Sequence, residues 1–89
     1  MKRRRGEEDS TRLDLHGQRV EEAIEHIERF LDQAMLSRER EVSIIHGHGS
    51  GRLKKAVRAY LSQSPYVDAF RPGSRWEGGD GVTVVILLD

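Results

Sequence analysis

The sequence predicts one small α/β domain with the element order βαβαββ. Three observations predict it. Two stretches carry apolar residues at helical spacing, short apolar runs precede each of them and close the chain, and glycine clusters mark the switches between elements. At 89 residues the chain is long enough for one domain and too short for two.

Each element has its own signal. Residues 1–10 are charged and without periodicity, and read as a disordered tail or linker, with Lys2, Arg3, Arg4 and Arg5 at its basic tip. Over 11–16, Leu13 and Leu15 alternate with Asp14 and His16, the period of a half-buried strand, and Gly17 ends it. From about 18 to 37, Val20, Ala23, Ile24, Ile27, Phe30, Leu31 and Ala34 form one helical stripe, with acids opposite. Gly17 or Gln18 has to serve as the N-cap. Residues 41–45 form a second strand. Ser50 is placed to cap a second helix over about 51–64, which Pro65 stops. A short third strand over 67–71 leads into a glycine-rich loop, 72–81, around Trp76. Residues 82–88 are nearly all apolar and β-branched, which places that strand centrally.

Composition narrows the function classes. Fifteen basic and fifteen acidic residues cancel, but they are segregated. Glu21, Glu22, Glu25, Glu28 and Asp32 dominate the first helix, whereas Arg52, Lys54, Lys55, Arg58, Arg71 and Arg75 face only Asp68 between His46 and Trp76. Such an asymmetry suits a polyanion on one side. The absence of cysteine excludes disulfides, thiolate zinc sites and cysteine nucleophiles, and fits a reducing cytoplasm. No apolar run approaches the roughly 20 residues of a membrane span, and the N-terminus has no signal-peptide stretch. The expectation is a cytoplasmic protein with no membrane partner.

The chemistry concentrates in His46-Gly47-His48-Gly49-Ser50-Gly51 and the cations that follow. The glycines free the backbone for close approach. Arg52, Lys54 and Lys55 stand in the first helical turn, where acids are favoured; that costs a few tenths of a kcal/mol, roughly, unless an anion arrives. Gly47, His48, Gly49, Ser50, Gly51, Arg52, Lys54 and Lys55 are the expected phosphate contacts, with Arg71 and Arg75 from the same basic half. The spacing is neither G-x-G-x-x-G nor a Walker loop, so polymer phosphate is favoured over free nucleotide. Right-handed crossovers make the first two strands parallel. His16-Gly17 and His46-Gly47 then share the sheet edge where open α/β folds bind ligands. Asp14, His16, His46 and His48 converge there. They suit general acid–base cleavage of a phosphodiester, and Asp14, His16 and His46 equally suit a divalent metal. Each also has an ordinary structural reading: Asp14 as a turn acceptor, His16 and His46 as hydrogen-bonded core histidines, the basic run as a solvated face. Trp76 is either core or a stacking surface for a base.

Three motifs resemble the Smr (small MutS-related) domain. They are Leu13-Asp14-Leu15-His16-Gly17, His46-Gly47-His48-Gly49, and the run Gly78-Gly79-Asp80-Gly81-Val82-Thr83-Val84-Val85. The resemblance covers 11–88 and assigns 11–89 to the domain and 1–10 to a linker. It implies a two-layer sandwich, with two helices packed on a four-stranded mixed sheet. It further implies an endonuclease that nicks DNA or, in some members, cleaves RNA at ribosomes. Asp14, His16 and His46 carry over as catalytic candidates, with Mg²⁺ or Mn²⁺ as the metals such a site would use if it uses one. The closing segment looks most like the version in the second bacterial MutS class. That likeness implies an upstream MutS-like ATPase, and branched or recombination-intermediate DNA as substrate. A non-catalytic DNA- or RNA-binding module is the alternative. Many relatives in that class have Arg where this chain has His16; charge stabilisation tolerates either residue, proton transfer only histidine.

Overall fold

Alternating side chains in short strands, and one apolar stripe on each helix, bring the chain together around a sheet with both α-helices on one face. The computed structural model describes residues 11–89; the expected charged tail over 1–10 lies outside them. The elements are β1 (Arg12–Asp14), α1 (Val20–Leu36), β2 (Glu41–Ile45), α2 (Arg52–Gln63), β3 (Val67–Pro72) and β4 (Val82–Leu87), with two 3₁₀ turns, Arg75–Glu77 and Gly79–Gly81, ahead of β4. The four-stranded sheet has the order β1-β2-β4-β3. β1 and β2 are parallel, and β4 runs antiparallel to both β2 and β3. The sheet is therefore mixed, and β4 is central, as its composition predicts.

Register decides which face is buried. Leu13 pairs with Ile44, Val42 with Val85, and Ile44 with Thr83. These positions share a face with Leu87, and Ala23, Ile27, Phe30, Leu31 and Ala34 of α1 and Val57 and Leu61 of α2 pack on it. The opposite face carries Arg12, Ser43, Ile45, Val82 and the buried Val84, and among the described residues it has no α-helix but is flanked by Trp76, Glu77 and Gly78.

Several boundaries differ from expectation, each for a local reason. β1 stops at Asp14 rather than running to His16. Leu15 still donates its N–H to the Ile45 carbonyl at 2.7 Å, but the Gln18 N–H then bonds back to the Leu15 carbonyl at 3.0 Å and turns the chain away. Arg19, in an extended conformation, is the N-cap of α1, so neither Gly17 nor Gln18 serves. Gly51, at φ +88°, is the N-cap of α2. Ser50 supports it from one residue earlier, its Oγ accepting the Arg52 N–H at 3.3 Å. β3 runs one residue further than expected, to Pro72, and has a register irregularity between Val67 and Ala69.

The core should behave as a close-packed interior. Ile44 is wholly buried between β1 and β4. Ile44→Ala should lose about 2–5 kcal/mol in urea unfolding, whereas Leu36→Ala, at a side chain 77% exposed, should stay within about 0.5 kcal/mol of the parent.

Candidate active site

The parallel pairing of Asp14 with Ile45 brings the exits of β1 and β2 side by side. The chain leaving β2 is fastened at once. The N–H groups of His46 and Gly47 both donate to the Gly81 carbonyl, at 3.1 and 2.9 Å. Gly47 then turns at φ +85°, and a Cβ there would lie 3.3 Å from the Cβ of His16. A side chain at 47 would be both conformationally strained and crowded. Behind this contact opens a cleft of about 640 Å³, lined by residues 16–21 and 46–54. His48 rests on Gly81, where any Cβ would sit 2.7 Å from its Nε2. The glycine in the closing motif is thus the seat of a ring from the loop motif.

Asp14 and His16 form one unit at the cleft's edge. Asp14 Oδ1 takes the His16 backbone N–H at 3.1 Å and meets His16 Nδ1 at 2.7 Å. A carboxylate accepts, so Nδ1 carries the proton and Nε2 of the neutral ring is left as a base. The Asp14 hydrogen bond raises the His16 pKa above its ordinary 6.5, and the same bond lowers that of Asp14. Both side chains are open to solvent.

His46 is placed differently. It is 5% exposed. Nδ1 lies 3.1 Å from the Gly47 carbonyl, which can only accept, and Nε2 lies 2.8 Å from Thr83 Oγ1. The ring is therefore neutral with its proton on Nδ1, and the Thr83 hydroxyl donates to Nε2 while accepting Arg58 Nε–H at 3.0 Å. Burial lowers the His46 pKa, and the cations of Arg58 and Lys54 add to that. His46, expected as an acid–base group or metal ligand, has both of its ring nitrogens engaged by Gly47 and Thr83. Among the described residues no group of three or more His, Cys, Asp or Glu is arranged to hold a metal ion. Asp14, His16 and His46 are not gathered into such a group.

The cations divide into paired and available. Asp80 of the glycine-rich segment pairs with Lys54 and lies 3.6 Å from Arg58. Arg71 grips Glu77 through both nitrogens, at 2.8 and 3.1 Å, and that contact helps hold the Glu77 pKa down to about 2. Lys54 and Arg71, both expected as phosphate contacts, are thus occupied by acids just beyond or at the edge of the basic segment. Among the described residues no acid pairs with Arg52, Lys55 or Arg75. The two helix N-termini at the cleft also differ. α1 begins with Glu21 and Glu22, which offset its positive end, while α2 has no acid in its first turn. Only the α2 end is left to receive an anion.

Sequence reasoning missed Thr83, Arg58 and Asp80 as the frame of the loop. Their signal was weak: a threonine within an apolar strand, and an acid between glycines. Trp76, left open as core or surface, is 89% exposed.

Comparison with known proteins gives a consistent result. A family described as "Smr domain" matches residues 13–88. The chain is 58% identical to "Endonuclease MutS2" of Anaeromyxobacter sp. (strain Fw109-5) over 76 residues, 85% of this chain and 9% of that protein. It is 53% identical to the protein of the same name from Staphylococcus carnosus over 75 residues, 84% of this chain and 10% of that one. The chain therefore spans about a tenth of the length of the curated relatives it matches. Among solved structures, the Smr domain of Thermus thermophilus MutS2 superposes with a TM-score of 0.86 at 34% identity, covering 89% of this chain and 99% of that one. YdaL, a stand-alone small MutS-related protein from Escherichia coli, gives 0.85 at 28% identity, covering 94% and 70%.

The buried imidazole predicts a pH signature. Its folded pKa lies below the unfolded value, so stability is full above about pH 6.5 and is lost as pH falls toward the folded pKa. Melting temperatures measured across that window should drop on acidification, and His46→Asn, less stable throughout, should lose that dependence. Thr83→Val leaves His46 Nε2 and Arg58 Nε unmatched and should cost about 1–3 kcal/mol in denaturant unfolding.

Proposed function

The chain belongs to the Smr domain family, and from that premise we propose that it is a nuclease domain that hydrolyses phosphodiester bonds of DNA in the cleft between the Asp14–His16 pair and the glycine loop. The observation that carries this reading is the 2.7 Å contact from Asp14 Oδ1 to His16 Nδ1. It fixes the ring's tautomer and leaves Nε2 as an oriented base beside an anion-receptive helix end. The names of the MutS2 relatives support the reaction class.

In this reading the polymer phosphate lies against Gly47, Gly49 and Gly51, with the α2 N-terminus and Arg52 facing its charge. Lys55 and Arg75 hold neighbouring phosphates. His16 Nε2 takes a proton from the attacking water as its oxygen bonds to phosphorus. The bond to the leaving oxygen breaks, and that oxygen is reprotonated by the imidazolium. Asp14 orients the ring and stabilises its cationic form. His48 stands at the rim, and His46 holds the loop from below. The relatives' greater length supports a place beside a MutS-like ATPase region that presents branched DNA to the cleft. No described helix is long and apolar enough to cross a membrane, which is compatible with work in the cytoplasm.

Nicking of supercoiled plasmid by purified protein tests the reading, with Mg²⁺, Mn²⁺ and chelator as parallel arms and structured RNA as a second substrate. Asp14→Ala and His16→Ala should each slow nicking by about 10²-fold or more while DNA binding persists. Unchanged nicking by either variant contradicts the assignment, and binding without cleavage under every condition makes the domain a binding module. The neutral base predicts a rate that rises with pH through a midpoint above 6.5, and Asp14→Asn should move that midpoint down. A rate that falls over the same range would instead make the imidazolium a charge-stabilising group. Arg52→Glu with Lys55→Glu should weaken DNA binding and flatten its salt dependence.

A further inference from the structure

We propose that the hollow on the sheet face opposite α1 and α2, beside Trp76, receives an unpaired nucleobase from the same strand whose phosphate occupies the glycine-loop cleft. The proposal rests on the phosphate-binding part of the function proposed above. Trp76 is 89% exposed, more than Leu36 at 77% or Leu88 at 44%. A tryptophan so placed contributes little to the core, and its indole is a large flat surface offered to solvent.

The ring is presented on a braced turn. Ser74 and Glu77 cap each other, with Ser74 N–H donating to Glu77 Oε1 at 2.7 Å. Arg71 clamps the same carboxylate, and Gly73 N–H bonds to the Val82 carbonyl at 2.9 Å. A surface held in place before binding loses little freedom when a partner arrives. Beside it lies a hollow of about 520 Å³ with Ile45 and Val82 on its apolar side and Arg12, Ser43 and His48 supplying polar groups. A base has an apolar π-face and polar edges, so it matches both kinds of wall.

Continuity with the cleft comes from the loop itself. Gly47 and His48 line both the cleft and this hollow. The loop is a thin partition, and a nucleotide astride it has its phosphate on one side and its base on the other. Arg12 lines the hollow and Arg75 adjoins Trp76 in the chain, whereas Glu77, which also lines it, is already paired with Arg71. The local charge therefore favours a polyanion. A base stacked within a duplex cannot enter, so the hollow selects single-stranded, frayed or flipped nucleotides.

The chain has one tryptophan, so its fluorescence reports on this site alone. A short single-stranded DNA, the same strand with abasic positions, and the matching duplex are titrated into the protein, following tryptophan emission and the anisotropy of a label on the DNA. Single-stranded DNA should quench Trp76, and abasic DNA and duplex should not. Trp76→Ala should weaken single-strand binding about tenfold and leave abasic binding unchanged, with Trp76→Phe in between. Binding seen by anisotropy with no change in emission, or equal affinity for intact and abasic strands, overturns the base site and leaves the phosphate site standing. No binding of any DNA at low salt overturns both.

Discussion

The site depends on a single fastening point, the carbonyl of Gly81. It accepts the N–H groups of both His46 and Gly47, and the bare Cα beside it seats the His48 ring. These contacts tie the loop that leaves β2 to the segment that enters β4. Without them the loop would be a flexible glycine run, and its N–H groups would not hold a fixed direction. Beneath the seam, the chain Thr83–His46–Gly47 continues the constraint into the sheet. A buried histidine with both nitrogens matched orients the backbone around it.

Charge placement follows from that frame. Asp80 draws Lys54 and Arg58 inward, and Glu77 does the same for Arg71. Of the remaining cations, Arg52 and Lys55 stand beside the loop, and Arg75 sits on the turn that carries Trp76. The formal neutrality of the chain thus conceals an acidic α1, a set of internally matched pairs and a small unmatched group beside the cleft. In our reading this unmatched group sets where a polyanion lies, and the Asp14–His16 pair sets where it is cut.

Much of this was legible in the residues. Periods of two and 3.6, with the apolar runs, located both α-helices and the four strands but not the two 3₁₀ turns, and the apolar run of β4 predicted its central position. The glycine loop and the Asp14–His16 motif were visible as neighbours once β1 and β2 were taken as parallel. What periodicity could not supply was pairing between distant side chains. Thr83 reads as an ordinary strand residue until its register places it opposite Ile44 and under His46. Asp80 and Glu77 read as loop acids until the two 3₁₀ turns fold them back toward α2 and β3. For the same reason the two histidine motifs looked equivalent. Burial, which depends on the folded chain, separates the enclosed His46 from the solvent-facing His16.

That separation is the central claim, and nitrogen-15 NMR of the histidine rings during a pH titration tests it most directly. The account predicts that His16 is the Nδ1–H tautomer when neutral, with its pKa raised above 6.5, whereas His46 is also the Nδ1–H tautomer with its pKa lowered below that value. A His46 that protonates ahead of His16, or a His16 ring with its neutral proton on Nε2, would contradict it.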